Sequence, residues 1–279
     1  MGAPLDGTVR AVRAAAVQMT STGDLDRNLE TADRLTRAAA RDGATLVVLP
    51  EKWPALGVPE VVASGAQDLD DGPAIVWAKR TAKELGIDLI AGSVALRSGE
   101  RLRNTAIHAG PDGEIHATYT KMHLFDVEVG GRTYRESEHE DAGDEVVVTT
   151  LADGTRVGLS ICYDLRFPAL FEELGQRGAT VMALPSAFTL KTTTDHWEIL
   201  VRARAIEQQA FVVAANQVGE HPGGMRSGGR SMIVDAWGVI LAEAPEGEGI
   251  AIAEIDSQQQ RRVRAEVPAL RHRRVRAEW

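Results

Sequence analysis

The chain has 279 residues, 44% apolar and 25% charged, with a formal net charge of −9; that is the make-up of a folded globular protein, long enough for one large α/β domain or two smaller ones. The acidic balance argues against general nucleic-acid binding. No run of about 18 apolar residues offers a membrane span, and Met1 to Arg10 lacks the basic-then-apolar pattern of a secretory signal.

Arg10 to Met19 reads as a strand and Thr20 to Asp24 as a polar turn. Leu29, Ala32, Leu35 and Ala39 recur at helical spacing and predict a helix over 26–41, with Gly43 beyond its end. Thr45 to Leu49 is a short apolar run, the mark of a fully buried strand, and it delivers Pro50 and Glu51 at its C-terminal end. A long loop over 52–71 follows, and loops of that length are usually functional or mobile. Pro73 to Leu85 is a helix and Ile87 to Leu96 a strand. Thr105 to Ala109 and Ile115 to Thr120 form a hairpin that releases Lys121. Residues 127–144 read as a polar loop.

A second hairpin, Glu145 to Leu151 and Arg156 to Ile161, ends at Cys162, where the chain turns before a helix over 168–177. Thr180 to Leu184 is a strand. Asp195 to Gln209 is a helix with Asp195 as its N-cap, and Ala210 to Asn216 is another strand. The Gly-rich stretch Gly223 to Arg230 lacks the strand-before, helix-after context of a phosphate loop and reads as a flexible loop. Met232 to Asp235 pairs with Val239 to Leu241. Ile250 to Ile255 is the last strand before a charged, Arg-rich tail.

The segment Gly43-Ala44-Thr45-Leu46-Val47-Val48-Leu49-Pro50 is echoed by Gly178-Ala179-Thr180-Val181-Met182-Ala183-Leu184-Pro185. Each copy follows a helix and precedes a loop, a helix and an apolar strand. Two similar halves, packed sheet to sheet, would make a four-layer αββα sandwich. Gly-Ala followed by an apolar run and Pro is also a common passage from helix to buried strand.

Three polar residues directly follow apolar strands: Glu51, Lys121 and Cys162. Strand ends in α/β proteins gather catalytic groups, because a rigid backbone there meets a crevice. Taken singly, each has a plain structural reading: a lone cysteine is commonly a small buried hydrophobe, and a charge at a strand end is commonly solvated. Together they supply a chemistry. A thiol is a nucleophile once it is deprotonated, and Glu51 is a base for it. Lys121 is a cation for a developing oxyanion. A Cys/His pair would need His123 or His196 beside Cys162, and neither lies in a local signature. The seven histidines show no zinc-binding spacing, so no metal or cofactor is expected.

The blocks Leu49-Pro50-Glu51, Tyr119-Thr120-Lys121-Met122-His123-Leu124-Phe125-Asp126 and Ile161-Cys162-Tyr163-Asp164-Leu165-Arg166-Phe167-Pro168 resemble the Glu-Lys-Cys triad blocks of the nitrilase superfamily of carbon–nitrogen hydrolases. The resemblance runs from about Arg10 to the end. It implies the αββα sandwich, a hydrolase domain over 10–258, and a tail over 259–279 at the surface or a dimer contact. It also implies a homodimer or higher homo-oligomer, and the single cysteine suits a reducing cytoplasm. Glu136 matches the family's second glutamate, which helps position Lys121 and the substrate.

Within the family, Pro185-Ser186-Ala187-Phe188, His196-Trp197-Glu198 and Arg271-His272-Arg273-Arg274 are similar to the omega-amidase and deaminated-glutathione amidase group. Lys191 to Asp195 and Ala277-Glu278-Trp279 depart from its pattern. The expected reaction is hydrolysis of the amide of a small carboxylate, with Tyr163 lending a backbone N–H and Arg166 binding the carboxylate. Phe125, Phe188 and Trp197 are candidates for the pocket wall, although aromatics are usually core. An N-carbamoyl or beta-ureido acid amidohydrolase and a non-catalytic scaffold are the competing readings.

Overall fold

The computed structural model describes residues 12–275. Arg10 and Ala11 of the expected first strand, the leader-free reading of Met1 to Arg10, and Arg276 with the last three residues of the tail lie outside them. In the first half, β1 (Val12–Gln18), β2 (Leu46–Val48) and β3 (Asp88–Ser98) run parallel. They are joined by α1 (Leu25–Arg41) and by a segment holding α2 (Pro59–Ser64) and α3 (Pro73–Leu85). β4 (Arg101–Ala109) and β5 (Ile115–Thr120) add antiparallel strands at one edge. A small hairpin follows, β6 (Asp126–Val129) with β7 (Arg132–Arg135).

The second half repeats the plan. β8 (Val148–Thr150) pairs antiparallel with β9 (Arg156–Leu159), and after α4 (Pro168–Gln176) comes β10 (Val181–Ser186), parallel to β9. α5 (Leu190–Thr192), a π-helical turn over Thr193–Trp197 and α6 (Glu198–Gln208) form one continuous helix leading to β11 (Phe211–Asn216), parallel to β10. β12 (Val218–His221) and β13 (Met225–Gly228) are a hairpin. β14 (Met232–Val234) and β15 (Ile240–Glu243) complete the second sheet, and β16 (Gly249–Ile255) crosses back to pair with β1. α7 (Ser257–Glu266) and α8 (Ala269–His272) close the described chain.

The two sheets have the orders β16-β1-β2-β3-β4-β5 and β8-β9-β10-β11-β14-β15. Strand for strand they correspond, antiparallel edge, three parallel strands, two antiparallel strands. The echoed segments hold β2 and β10, the middle parallel strand of each sheet, so the two halves expected from the echo are real. Alternation along the strands sorts the core. Ala14, Ala16, Leu46 and Val48 face the second sheet, while Ala15, Val17, Val47 and Leu49 pack with residues of α1 and α3. The small alanines of β1 let β11 come alongside, and a parallel bridge joins Met19 to Gln217. Both sets of parallel strands therefore run the same way, and their C-terminal ends meet. β5 runs parallel to β3 and ends at the same side.

Five segments differ from expectation. The loop over 52–71 is anchored: α2 starts at Pro59, which suits a first helical turn, and Trp53 is fully buried with its Nε1 donating to Ala91 O at 3.0 Å. Within 127–144, Gly130 and Gly131 both take positive φ, +61° and +74°, the geometry of a tight hairpin turn. Gly223 and Gly224 do the same between β12 and β13, so that Gly-rich stretch is structured. Asp195 is not an N-cap: the helix begins a turn and a half earlier, where the Thr189 side chain accepts from Thr192 N, and Asp195 sits in the π-helical turn. Threonine hydroxyls that bond backbone took the capping role there. The segment after 256 is helical, with Gln260 and Val263 buried and Gln260 Nε2 donating to Thr180 O and Gln209 O. No helix among the described residues is long and apolar enough to cross a membrane.

Candidate active site

Glu51, Lys121 and Cys162 come together where β2, β5 and β9 end. All three are buried. The Glu51 backbone is held from the second sheet: its N–H donates to Ser186 O at 3.3 Å, and its carbonyl accepts Gln217 Nε2 at 3.0 Å. On its carboxylate, Oε1 accepts Lys121 Nζ at 3.0 Å and Asn104 Nδ2 at 2.8 Å. The Glu51 charge also acts on the Cys162 thiol.

Cys162 opens a 3-10 turn with φ +48°, left-handed backbone that costs a non-glycine residue about 1–2 kcal/mol. Asp164 holds the turn in place. Fully buried, it accepts Ile161 N at 2.8 Å, Tyr119 OH at 2.7 Å, and both His123 N at 3.1 Å and His123 Nδ1 at 2.7 Å. The Cys162 turn is thereby tied to the strand that carries Lys121. Replacing Asp164 with alanine strands these buried donors and is expected to destabilise the fold by about 3 kcal/mol or more, read as a lower urea midpoint. An unchanged midpoint would show that the tie contributes nothing.

The electrostatics suit a neutral thiol at rest beside an ionised partner network. Burial and the Glu51 charge push the Cys162 thiol well above its usual range, and Lys121 and the Ala187 N–H pull it only part way back. Burial works against the charged form of Lys121, but Glu136 and Glu51 outweigh it and hold the ammonium firmly protonated. Burial also opposes ionisation of Glu136, yet Lys121 and Lys52 hold its carboxyl well below the usual range. Glu136 Oε2 accepts Lys121 Nζ at 2.7 Å and Phe125 N at 2.8 Å. An ammonium has three N–H donors. Lys121 commits two of them to Glu51 and Glu136, so one is left.

These groups form the floor of a cavity of about 330 Å³, within the range of small-molecule sites. Tyr163, Arg166, Phe125 and Phe188 line it. The Arg166 guanidinium lies over the Tyr163 and Phe188 rings, 5.9 and 5.5 Å from their centroids. Trp197 does not line the cavity. It is fully buried behind Phe188, ring centroids 4.8 Å apart, with Nε1 donating to Arg230 O, so it is core. His123 stacks on Phe167 and His196 Nδ1 meets Arg166, and neither lines the cavity, so no Cys/His pair forms.

Sequence reasoning missed Asn104, Lys52, Glu140 and three further cavity arginines, Arg132, Arg135 and Arg226. Together with Arg166 these arginines have no acidic partner among the described residues, which leaves cationic charge at the cavity wall. The only signal for Lys52 was its adjacency to Glu51, and for Glu140 its place four residues after Glu136.

The sequence pattern of the carbon-nitrogen hydrolase family matches residues 13–265. The chain belongs to the carbon-nitrogen hydrolase family. It is a hydrolase of carbon–nitrogen bonds. It is 42% identical over 271 residues to the deaminated glutathione amidase of Synechocystis, covering 93% of this chain and 97% of that protein. The chloroplastic omega-amidase of Arabidopsis thaliana is 36% identical over 262 residues, covering 92% of this chain and 71% of the plant protein. The crystal structure of Saccharomyces cerevisiae Nit3, a member of branch 10 of the nitrilase superfamily, superposes with a TM-score of 0.84 at 28% identity, covering 92% of this hydrolase and 94% of Nit3. The αββα sandwich of this hydrolase is thus that of the nitrilase superfamily.

Proposed function

We propose that this hydrolase is a cysteine-dependent amidase that cleaves the amide of a small carboxylate, a 2-oxo-acid omega-amide such as 2-oxoglutaramate or deaminated glutathione, through a thioester. The convergence of Cys162, Glu51 and Lys121 on one cavity floor carries this reading. Glu51 takes the thiol proton as sulfur attacks the amide carbon. The remaining Lys121 N–H and the Tyr163 backbone N–H, which opens the turn with no acceptor of its own among the described residues, hold the oxyanion. Glu51 passes the proton to the leaving nitrogen, the C–N bond breaks and the thioester remains. Water, deprotonated by Glu51, then attacks it, the C–S bond breaks and the acid leaves. Glu136 steadies Lys121 throughout. Arg166 is the proposed partner of the substrate carboxylate, with Tyr163, Phe125 and Phe188 around the chain of the substrate.

The test is ammonia or amine release from 2-oxoglutaramate, deaminated glutathione, glutamine, a simple nitrile and an N-carbamoyl amino acid. Turnover of a 2-oxo-acid amide supports the proposal. Turnover of the carbamoyl compound alone would reassign the substrate, and silence on all would favour a scaffold.

The proposal extends to assembly and location. Ile199 and Ile206 on one face of α6, with Trp237 on the β14–β15 turn, are more than half exposed. A contiguous apolar face of this kind marks an interface, here that of a homodimer. Light scattering is expected to give twice the chain mass, and Ile199→Glu with Ile206→Glu a single chain mass. An unassociated wild type would overturn the dimer. A free nucleophilic thiol needs a reducing compartment, which supports the cytoplasm.

A further inference from the structure

Lys52 directly follows Glu51, and in an extended strand successive side chains point to opposite sides. Here both serve the same cavity floor, because Lys52 takes φ +49°. A left-handed lysine persists only where its surroundings over-determine it. Its N–H donates to the buried Ser93 Oγ at 3.1 Å, which secures the turn. The reward is at Nζ, which donates to Glu136 Oε1 at 3.1 Å and forms an ion pair with Glu140. The Glu136 carboxylate is therefore gripped at both oxygens, Oε1 by Lys52 and Oε2 by Lys121 and Phe125 N.

We infer that Lys52 is a positioning residue: it fixes the carboxylate that fixes Lys121, and Glu140 holds Lys52 in place. Without it, Glu136 can rotate about its side-chain torsions, and the one Lys121 N–H left for the oxyanion loses its aim. Lys52 touches no reacting atom in this scheme.

The charges around Glu136 give the effect a sign. It faces Lys52 and Glu51 at the end of β2, Lys121 at the end of β5, Glu140 one turn along its own segment, Asp126 on β6 and Cys162 across the floor. Lys52 favours the ionised form of Glu136, and the Glu140 carboxylate beside it disfavours that form. Removing Lys52 raises the Glu136 carboxyl, so it protonates at a higher pH and activity is lost earlier on acidification. Removing the Glu140 charge does the opposite.

The inference rests on the amidase reading, and the experiment separates the two. Wild-type turnover in the amide panel checks that reading alone. Lys52→Met is expected to lower kcat by about 10- to 100-fold, to leave KM within about twofold because ground-state binding is untouched, and to move the acid limb of kcat/KM up by about one pH unit. Glu140→Gln is expected to move that limb down. A merely structural pair would shift neither limb, or both the same way. Wild-type kcat with an unmoved limb in Lys52→Met overturns the inference. If Lys52→Met fails to fold, Glu140→Gln decides: a limb moved to lower pH supports the role and an unmoved limb overturns it. If no amide is turned over, alkylation of Cys162, the chain's single thiol, by iodoacetamide against pH gives the same comparison with the same signs.

Discussion

Cys162→Ala is expected to reduce amide turnover by at least about ten-thousandfold, the scale on which loss of a sole nucleophile is felt. Nothing else on the cavity floor can replace it. Glu51 is committed through Oε1 to Lys121 and Asn104, and the chain has no second cysteine. Stability should stay within about 1 kcal/mol of wild type, because alanine carries the same left-handed backbone penalty as cysteine and every ion pair of the site survives. Turnover at a tenth of wild type or more, in a folded variant, would exclude Cys162 as nucleophile. The variant should also lose all labelling by thiol reagents, which provides an internal control.

Lys121→Met should produce the second large effect, through two separable routes. The first is catalytic: loss of one oxyanion donor costs about 100- to 1,000-fold in kcat. The second is structural. Lys121 is fully buried between Glu51 and Glu136, and removing one partner of a buried ion pair costs about 3–5 kcal/mol because the other charge is left uncompensated. Glu136 retains Lys52, so Glu51 bears most of this cost. Adding Glu51→Gln to Lys121→Met should therefore recover part of the stability and none of the activity. A double variant no more stable than the single one would contradict the account, as would a folded Lys121→Met enzyme with wild-type kcat. Urea unfolding and steady-state kinetics on the same preparations decide both.

The segment at 43–50 and its echo at 178–185 pointed to two similar halves, because a buried parallel strand must be apolar on both faces and a helix beside it must carry an apolar stripe. Glu51, Lys121 and Cys162 were legible because each stands within three residues of the C-terminal end of a strand. The two hairpins at 126–135 and 218–228 were not read, although Gly130-Gly131 and Gly223-Gly224 are turn signals, because their strands are short and polar. Trp197 was misplaced because an aromatic side chain looks the same in sequence whether it lines a cavity or backs the residue that does.

The sequence by itself determined the order of the main elements, the doubled sheet and the three strand ends proposed to carry the chemistry, all consequences of local period and chain direction. Only the tertiary structure decided that the parallel strands of both sheets end on one side, that Lys121 spends two of its three donors on Glu51 and Glu136, and that Lys52 and Glu140 join them. These depend on contacts between residues 15 to 198 positions apart, and on a left-handed backbone at Lys52 and Cys162 that no side-chain pattern announces. Charge pairing in a buried site is set by geometry, and geometry of that range exists only once the two sheets have packed.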